Sequence, residues 1–126
     1  MITNESKVID WDEAMEQVGD DEEFLRELLG DLRQETDGQV KKISEIIATP
    51  CDSPFHLIMR AAHVIKGAAS NLMCEQLRST AMALEQDAKV ANENPEESNI
   101  IKVKEDFLQL EKANNEYHAY LKTIGV

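Results

Sequence analysis

Glycine, proline and aromatic residues are scarce in this 126-residue sequence: five glycines, three prolines and 5% aromatics. A β-sandwich or barrel needs frequent turns and alternating β-branched or aromatic runs, so the composition argues against one. No apolar run approaches the roughly 18–20 residues of a membrane span. The N-terminal stretch MITNESKVIDWDEA lacks the basic and apolar regions of a signal peptide. The sequon at Asn4-Glu5-Ser6 therefore carries little weight. Cysteine is nearly absent, and Cys51 and Cys74 read as reduced thiols rather than a structural disulfide. Positive charge is also short: 13 Lys and Arg face 25 Asp and Glu, leaving a net charge of -12. Such a surface repels phosphate backbones and anionic lipids, so neither nucleic acid nor a membrane is an expected partner. The charge names no partner by itself and is read first as solubility.

What is abundant is Glu, Leu, Ala and Lys, the helix formers. The length suits one domain with a small core. The initiator Met and the lack of a long linker suggest a stand-alone domain. Five helical segments are predicted. A short one spans about 10–18, with Asp10 as cap, Glu13 in capping-box position and Gly19 as terminator. The second, about 20–48, starts at Asp20 with Glu23 in the box position. It carries Leu25, Leu28, Leu29, Leu32, Val40, Ile43, Ile46 and Ile47 on one stripe, and Thr36 and Gly38 weaken its middle. Pro50 and Pro54 bracket the break before the third, about 53–71. The fourth, about 75–91, places Leu77, Ala81, Leu84, Ala88 and Ala91 at steps of four and three. The fifth, about 95–124, opens on Asn94 as cap with Pro95 at the first helical position. Its stripe is Val103, Phe107, Leu110, Asn114, Tyr117, Leu121 and Ile124, with Asn114 read first as a boundary residue beside water and otherwise as a register-fixing polar contact. Long amphipathic helices with short connections predict an all-α, antiparallel up-down four-helix bundle with a short additional N-terminal helix.

The chemistry concentrates in the third segment, at AAHVIKGAASNL, residues 61–72. On a helical wheel of about 100° per residue, Ile58, Ala62, Ile65, Ala69 and Leu72 form the core stripe. His63 lies about 130° from the centre of that stripe and points outward. His56, Met59, Arg60, Lys66, Gly67 and Ser70 fall within about 60° of it. Lys66 and Arg60, three residues either side, are expected to reach the ring, discourage its protonation and favour a negative group upon it. Gly67 costs roughly 1 kcal/mol relative to alanine in a helix interior. Its absent side chain leaves His63 open to the approach of another molecule.

The stretch AHVIKGAASNL, followed by LRSTAMALEQDAK, resembles the histidine-containing phosphotransfer (HPt) domain of multistep two-component phosphorelays. The residues that carry the resemblance are Ala62, His63, Ile65, Lys66, Gly67, Ala69, Leu77, Leu84, Glu85, Ala88 and Lys89. DWDEAMEQVGDDEEFLRELL is similar to the first two helices of that family. Two positions depart, both expected near the phosphate-bearing surface: Ala68 stands where a serine is frequent, and Met73 where a glycine is frequent. The resemblance implies that a receiver phospho-aspartate is attacked by a ring nitrogen of His63, Nε2 in the family, and that a second receiver takes the phosphoryl group. Lys66 would stabilise the transferred group, and Ser70 would hydrogen-bond it. The implied partners are response-regulator receiver domains and a hybrid sensor histidine kinase. The chain itself would need no cofactor, because the receiver brings Mg²⁺, and it would be a carrier, not an enzyme. A monomer fits the one active face, and the expected setting is the cytoplasm, or the nucleus of a eukaryote.

Rival chemistries fit less well. About 10.5 Å of helix separates His56 from His63, too far for one zinc ion to take both easily. A hydrolase would need an acid orienting His63 and a separate nucleophile. The remaining alternative is an adaptor of the same fold whose histidine is never phosphorylated. For the surface that a receiver must cover, Met59 is the expected apolar contact, with His56 beside it and Met15 of the first helix a further contact. Trp11, Met15 and Val18 share one face of that first helix.

Overall fold

The computed structural model describes residues 8–49 and 51–126. The Asn4 sequon and Pro50 lie outside them. Among the described residues the chain forms five helices and no strand: α1 (Trp11–Gln17), α2 (Glu22–Ala48), α3 (Pro54–Asn71), α4 (Glu75–Glu93) and α5 (Glu97–Thr123). Each long helix packs on its neighbours in the chain, and α5 closes the ring on α2. Contacts between α2 and α5 show the antiparallel sense. Arg26, early in α2, donates to the Ile124 carbonyl just past α5, whereas Asp37, further along α2, accepts from Asn114, further back on α5. The result is an all-α four-helix bundle with a short helix at its N-terminal end. No helix of the described residues is long and apolar enough to cross a membrane.

The helix ends follow local chemistry. Asp10 caps α1, its carboxylate accepting from the Glu13 amide at 3.2 Å. The Asp10 N–H donates to the Met73 carbonyl at 3.0 Å, which ties α1 to the turn between α3 and α4. The cap of α2 is Asp21, not Asp20: the Asp21 carboxylate accepts from Phe24 N at 3.0 Å. Gly19 and Asp20 both take left-handed backbone, at φ 66° and 62°, so the turn runs one residue longer than expected. Asn94 closes α4 instead of opening α5. Its N–H donates to Val90, and α5 begins only at Glu97, two residues past Pro95.

The core follows the predicted stripes closely where a helix is packed on both sides. Leu77, Ala81, Leu84, Ala88 and Ala91 of α4 are all buried, as are Ile58, Ala62, Ile65, Ala69 and Leu72 of α3. On α2, Leu25, Leu29, Leu32 and Ile43 are buried, while Leu28, Val40, Ile46 and Ile47 are half-buried. Thr36 does not interrupt α2, which runs unbroken, and it is fully buried. Asn114 is more than a boundary residue. It is buried, and its amide donates to Asp37 at 2.9 Å, while His118 Nε2 lies 2.7 Å from the same oxygen. This polar contact links α2 to α5 in one register. The buried Tyr117 adds a second link, donating its phenolic O–H to the Leu29 carbonyl at 2.6 Å.

Candidate functional site

α3 presents His63 to solvent because its opposite face is apolar and faces the core. The imidazole is 66% exposed. Its Nδ1 lies 2.6 Å from Glu85 Oε2, and the other oxygen of that carboxylate lies 2.5 Å from Lys66 Nζ. Glu85 sits on α4, where Leu84 and Ala88 face the core and hold the helix against α3. One carboxylate therefore bridges the histidine and the lysine one turn beyond it. Burial raises the pKa of Glu85, but hydrogen bonds and charge from Lys66 and His63 pull harder and hold the group below the ordinary carboxylate range.

An ionised carboxylate can only accept hydrogen bonds, so the proton of the neutral ring belongs on Nδ1. That leaves the lone pair on Nε2, which points away from Glu85 into solvent. The bond also fixes the plane of the ring.

This arrangement corrects the expectation about Lys66 and Arg60. Lys66 turns toward α4 and pairs with Glu85, so the nearest charge to the ring is a carboxylate and not two cations. Arg60 is exposed and pairs with no carboxylate among the described residues. Glu85 is the residue beside His63 that residue-by-residue reading missed. It belongs to the quoted motif, but it is 22 positions from His63, and only the packing of α4 on α3 brings the two together.

The other expected residues are distributed as follows. Gly67 is exposed, and a Cβ built on it would meet nothing within 4 Å. Ser70 and His56 are exposed on the same face as His63. Met59 is not free on that face: it is half-buried and packs against the core. Met15 also packs against the core. The apolar surface beside His63 lies instead between α2 and α3. One groove there is lined by Ile46, Leu57, Arg60 and Val64, and a second by Val18, Phe24, Leu28 and Ala68. Val64 and Ala68 stand on successive turns of α3, so the grooves run along the flank next to His63. Gln17, the last residue of α1, and Val18 just past it line the second groove.

Met73 is ten residues beyond His63, about 15 Å along a helix axis. It occupies the α3–α4 turn with φ 58°, a left-handed conformation that favours glycine. The glycine frequent at this position thus answers a need of the turn, not of the surface around the histidine.

The Hpt domain family model matches residues 23–116. The chain belongs to the Hpt domain family. The matched span holds α3, α4 and all of His63, Lys66, Gly67 and Glu85, while α1 and the last turns of α5 lie outside it. Neither a curated protein nor a solved structure matches the chain. Hpt domains are phosphocarriers of two-component signalling that interact with receiver domains. Among the described residues, no three His, Cys, Asp or Glu side chains gather as a metal site would require. Glu85 supplies the orienting acid that a hydrolase would need, yet among the described residues no hydroxyl or thiol is hydrogen-bonded to the ring of this Hpt domain.

Proposed function

We propose that this protein relays a phosphoryl group between receiver-domain aspartates through a phosphohistidine at His63. The observation that carries the reading is the hydrogen bond between Nδ1 and the Glu85 carboxylate on a solvent-exposed ring, which favours the tautomer with its lone pair on Nε2. The Nε2 lone pair attacks the phosphorus of a receiver phospho-aspartate. The N–P bond forms, the P–O bond breaks, and the aspartate leaves with that electron pair. The ring gains a positive charge and keeps its Nδ1 proton, which Glu85 stabilises at 2.6 Å. The reverse step on a second receiver restores neutral histidine. Phosphoryl transfer depends mostly on positioning and charge, and both are supplied here by fixed side chains.

Lys66 brings its ammonium beside the incoming phosphoryl oxygens, and Gly67 leaves clearance for the receiver. Arg60 and Ser70 face the same space and contribute charge and a hydroxyl. The receiver seats its apolar centre on the α2–α3 flank, against Val64, Leu57, Phe24 and Leu28, with Met59 and His56 at the edge. The chain carries no resident cofactor, and Mg²⁺ enters with the receiver. A helical adaptor would have no use for a ring held in one tautomer, so the carrier reading is favoured.

The test is incubation with a phosphorylated receiver domain. Acid-labile, base-stable label on the wild-type chain, absent from His63→Gln, is the expected result. Label persisting in His63→Gln would overturn the assignment.

A further inference from the structure

The seam between α4 and α5 holds a pair of acids that the site at His63 does not use. Asp87 of α4 and Asp106 of α5 face one another there, since Lys102, one turn before Asp106, reaches across to Asp87. Asp106 Oδ2 is buried and has no donor among the described residues. Lys102, one turn before Asp106, lies 3.8 Å from Asp87 Oδ1, so it compensates Asp87. The charged groups acting on Asp106 are Asp87 from α4 and Lys102 and Glu105 from α5, two anions against one cation.

Two ionised carboxylates in this position repel each other, and the buried oxygen would remain without a partner. One proton removes both penalties. It neutralises Asp106 and makes it a donor to the Asp87 carboxylate. Burial first, then the hydrogen bond and charge of Asp87, push the Asp106 carboxyl up to about 7.

We propose that Asp87 and Asp106 share a single proton across the α4–α5 interface, forming a clasp that fastens these helices in mildly acidic solution and loosens as the pH rises to neutrality. The sign is opposite to that of an ordinary paired carboxylate. The native state holds this proton more tightly than the unfolded chain. Stability therefore falls as pH rises from the unfolded aspartate value to the native one, roughly pH 4 to 7, and levels off above. The clasp is separate from the chemistry at His63, since Asp87 and Glu85 lie about 200° apart around α4.

The test uses the full chain. The Asp106 carboxyl is followed by carbon NMR against pH, in wild type and in Asp87→Asn. Urea unfolding is measured from about pH 5 to about pH 8 in wild type and in Asp106→Asn, which keeps a donor toward Asp87. The expected wild-type midpoint lies near neutrality and drops toward the ordinary aspartate range in Asp87→Asn. The unfolding constant of wild type rises about tenfold or more across that pH range, and that of Asp106→Asn rises less. An ordinary aspartate midpoint in wild type would overturn the clasp, as would identical pH dependence in the two unfolding series. Should Asp106→Asn fail to fold, the wild-type titration alone decides.

Discussion

Glu85 and His63, on adjacent helices, share a 2.6 Å hydrogen bond through Nδ1, and the same carboxylate holds Lys66 at 2.5 Å. Glu85 is a positioning residue: it acts on the reaction through the ring. Glu85→Ala is expected to slow phosphoryl transfer about 10- to 100-fold, the worth of one hydrogen bond to a charged group. Receiver affinity should change little. Nitrogen NMR should find the Nδ1–H tautomer in wild type and a shift toward Nε2–H in the variant. Slower transfer with an unchanged tautomer would assign Glu85 a purely structural role. The low pKa of Glu85 also has a pH signature. Its stabilisation is present above the unfolded glutamate value and is lost as pH falls through the native one. Urea unfolding of Glu85→Gln should lack that acid-side loss.

Gly67 stands in a helix interior with open space around its missing Cβ. Gly67→Gln should therefore preserve stability or raise it by up to about 1 kcal/mol. It should nonetheless block transfer, because the new side chain fills the space a receiver needs. Thermal unfolding and transfer rate measured on one preparation decide it. Equal transfer with the larger side chain would remove the clearance argument.

The outward direction of His63, the four long helices and nearly every core position of α3 and α4 were legible in the sequence, because a one-sided apolar stripe has one burial solution. What a wheel cannot supply is the identity of the neighbour on each flank. Met59 and Lys66 were placed on the exposed face by angle alone. Met59 packs against the core, and Glu85 of α4 gives Lys66 a carboxylate partner. The Asp21 cap and the late start of α5 were missed for a different reason. Runs such as Gly-Asp-Asp and Asn-Glu-Asn-Pro offer several capping residues in a row, and backbone geometry chooses among them.

The docking surface gives a paired prediction. Val64 is 39% exposed beside His63, so Val64→Glu should leave the helical circular dichroism signal intact and weaken receiver binding by more than about 1 kcal/mol. Met59→Glu should instead lower the unfolding temperature, since Met59 packs against the core. Titration calorimetry and thermal melts of both variants distinguish the two roles. Unaltered binding by Val64→Glu would move the interface away from the α2–α3 flank.

The two thiols should differ sharply in reactivity. Cys51 is exposed, whereas Cys74 is buried at the start of α4 and its pKa is pushed up to about 12 by that burial. An aromatic disulfide reagent at mildly alkaline pH should titrate one thiol in the native protein and both after denaturation. Rapid reaction of both in the native state would mean that the end of the bundle opens readily.

The central claim is that the phosphoryl group resides on Nε2 of His63. Phosphorus and nitrogen NMR of the phosphorylated, nitrogen-15-labelled protein tests it most directly. The account predicts phosphorus coupling to Nε2 of His63 with a proton retained on Nδ1 toward Glu85. Coupling to Nδ1, or to either ring nitrogen of His56 or His118, would contradict it.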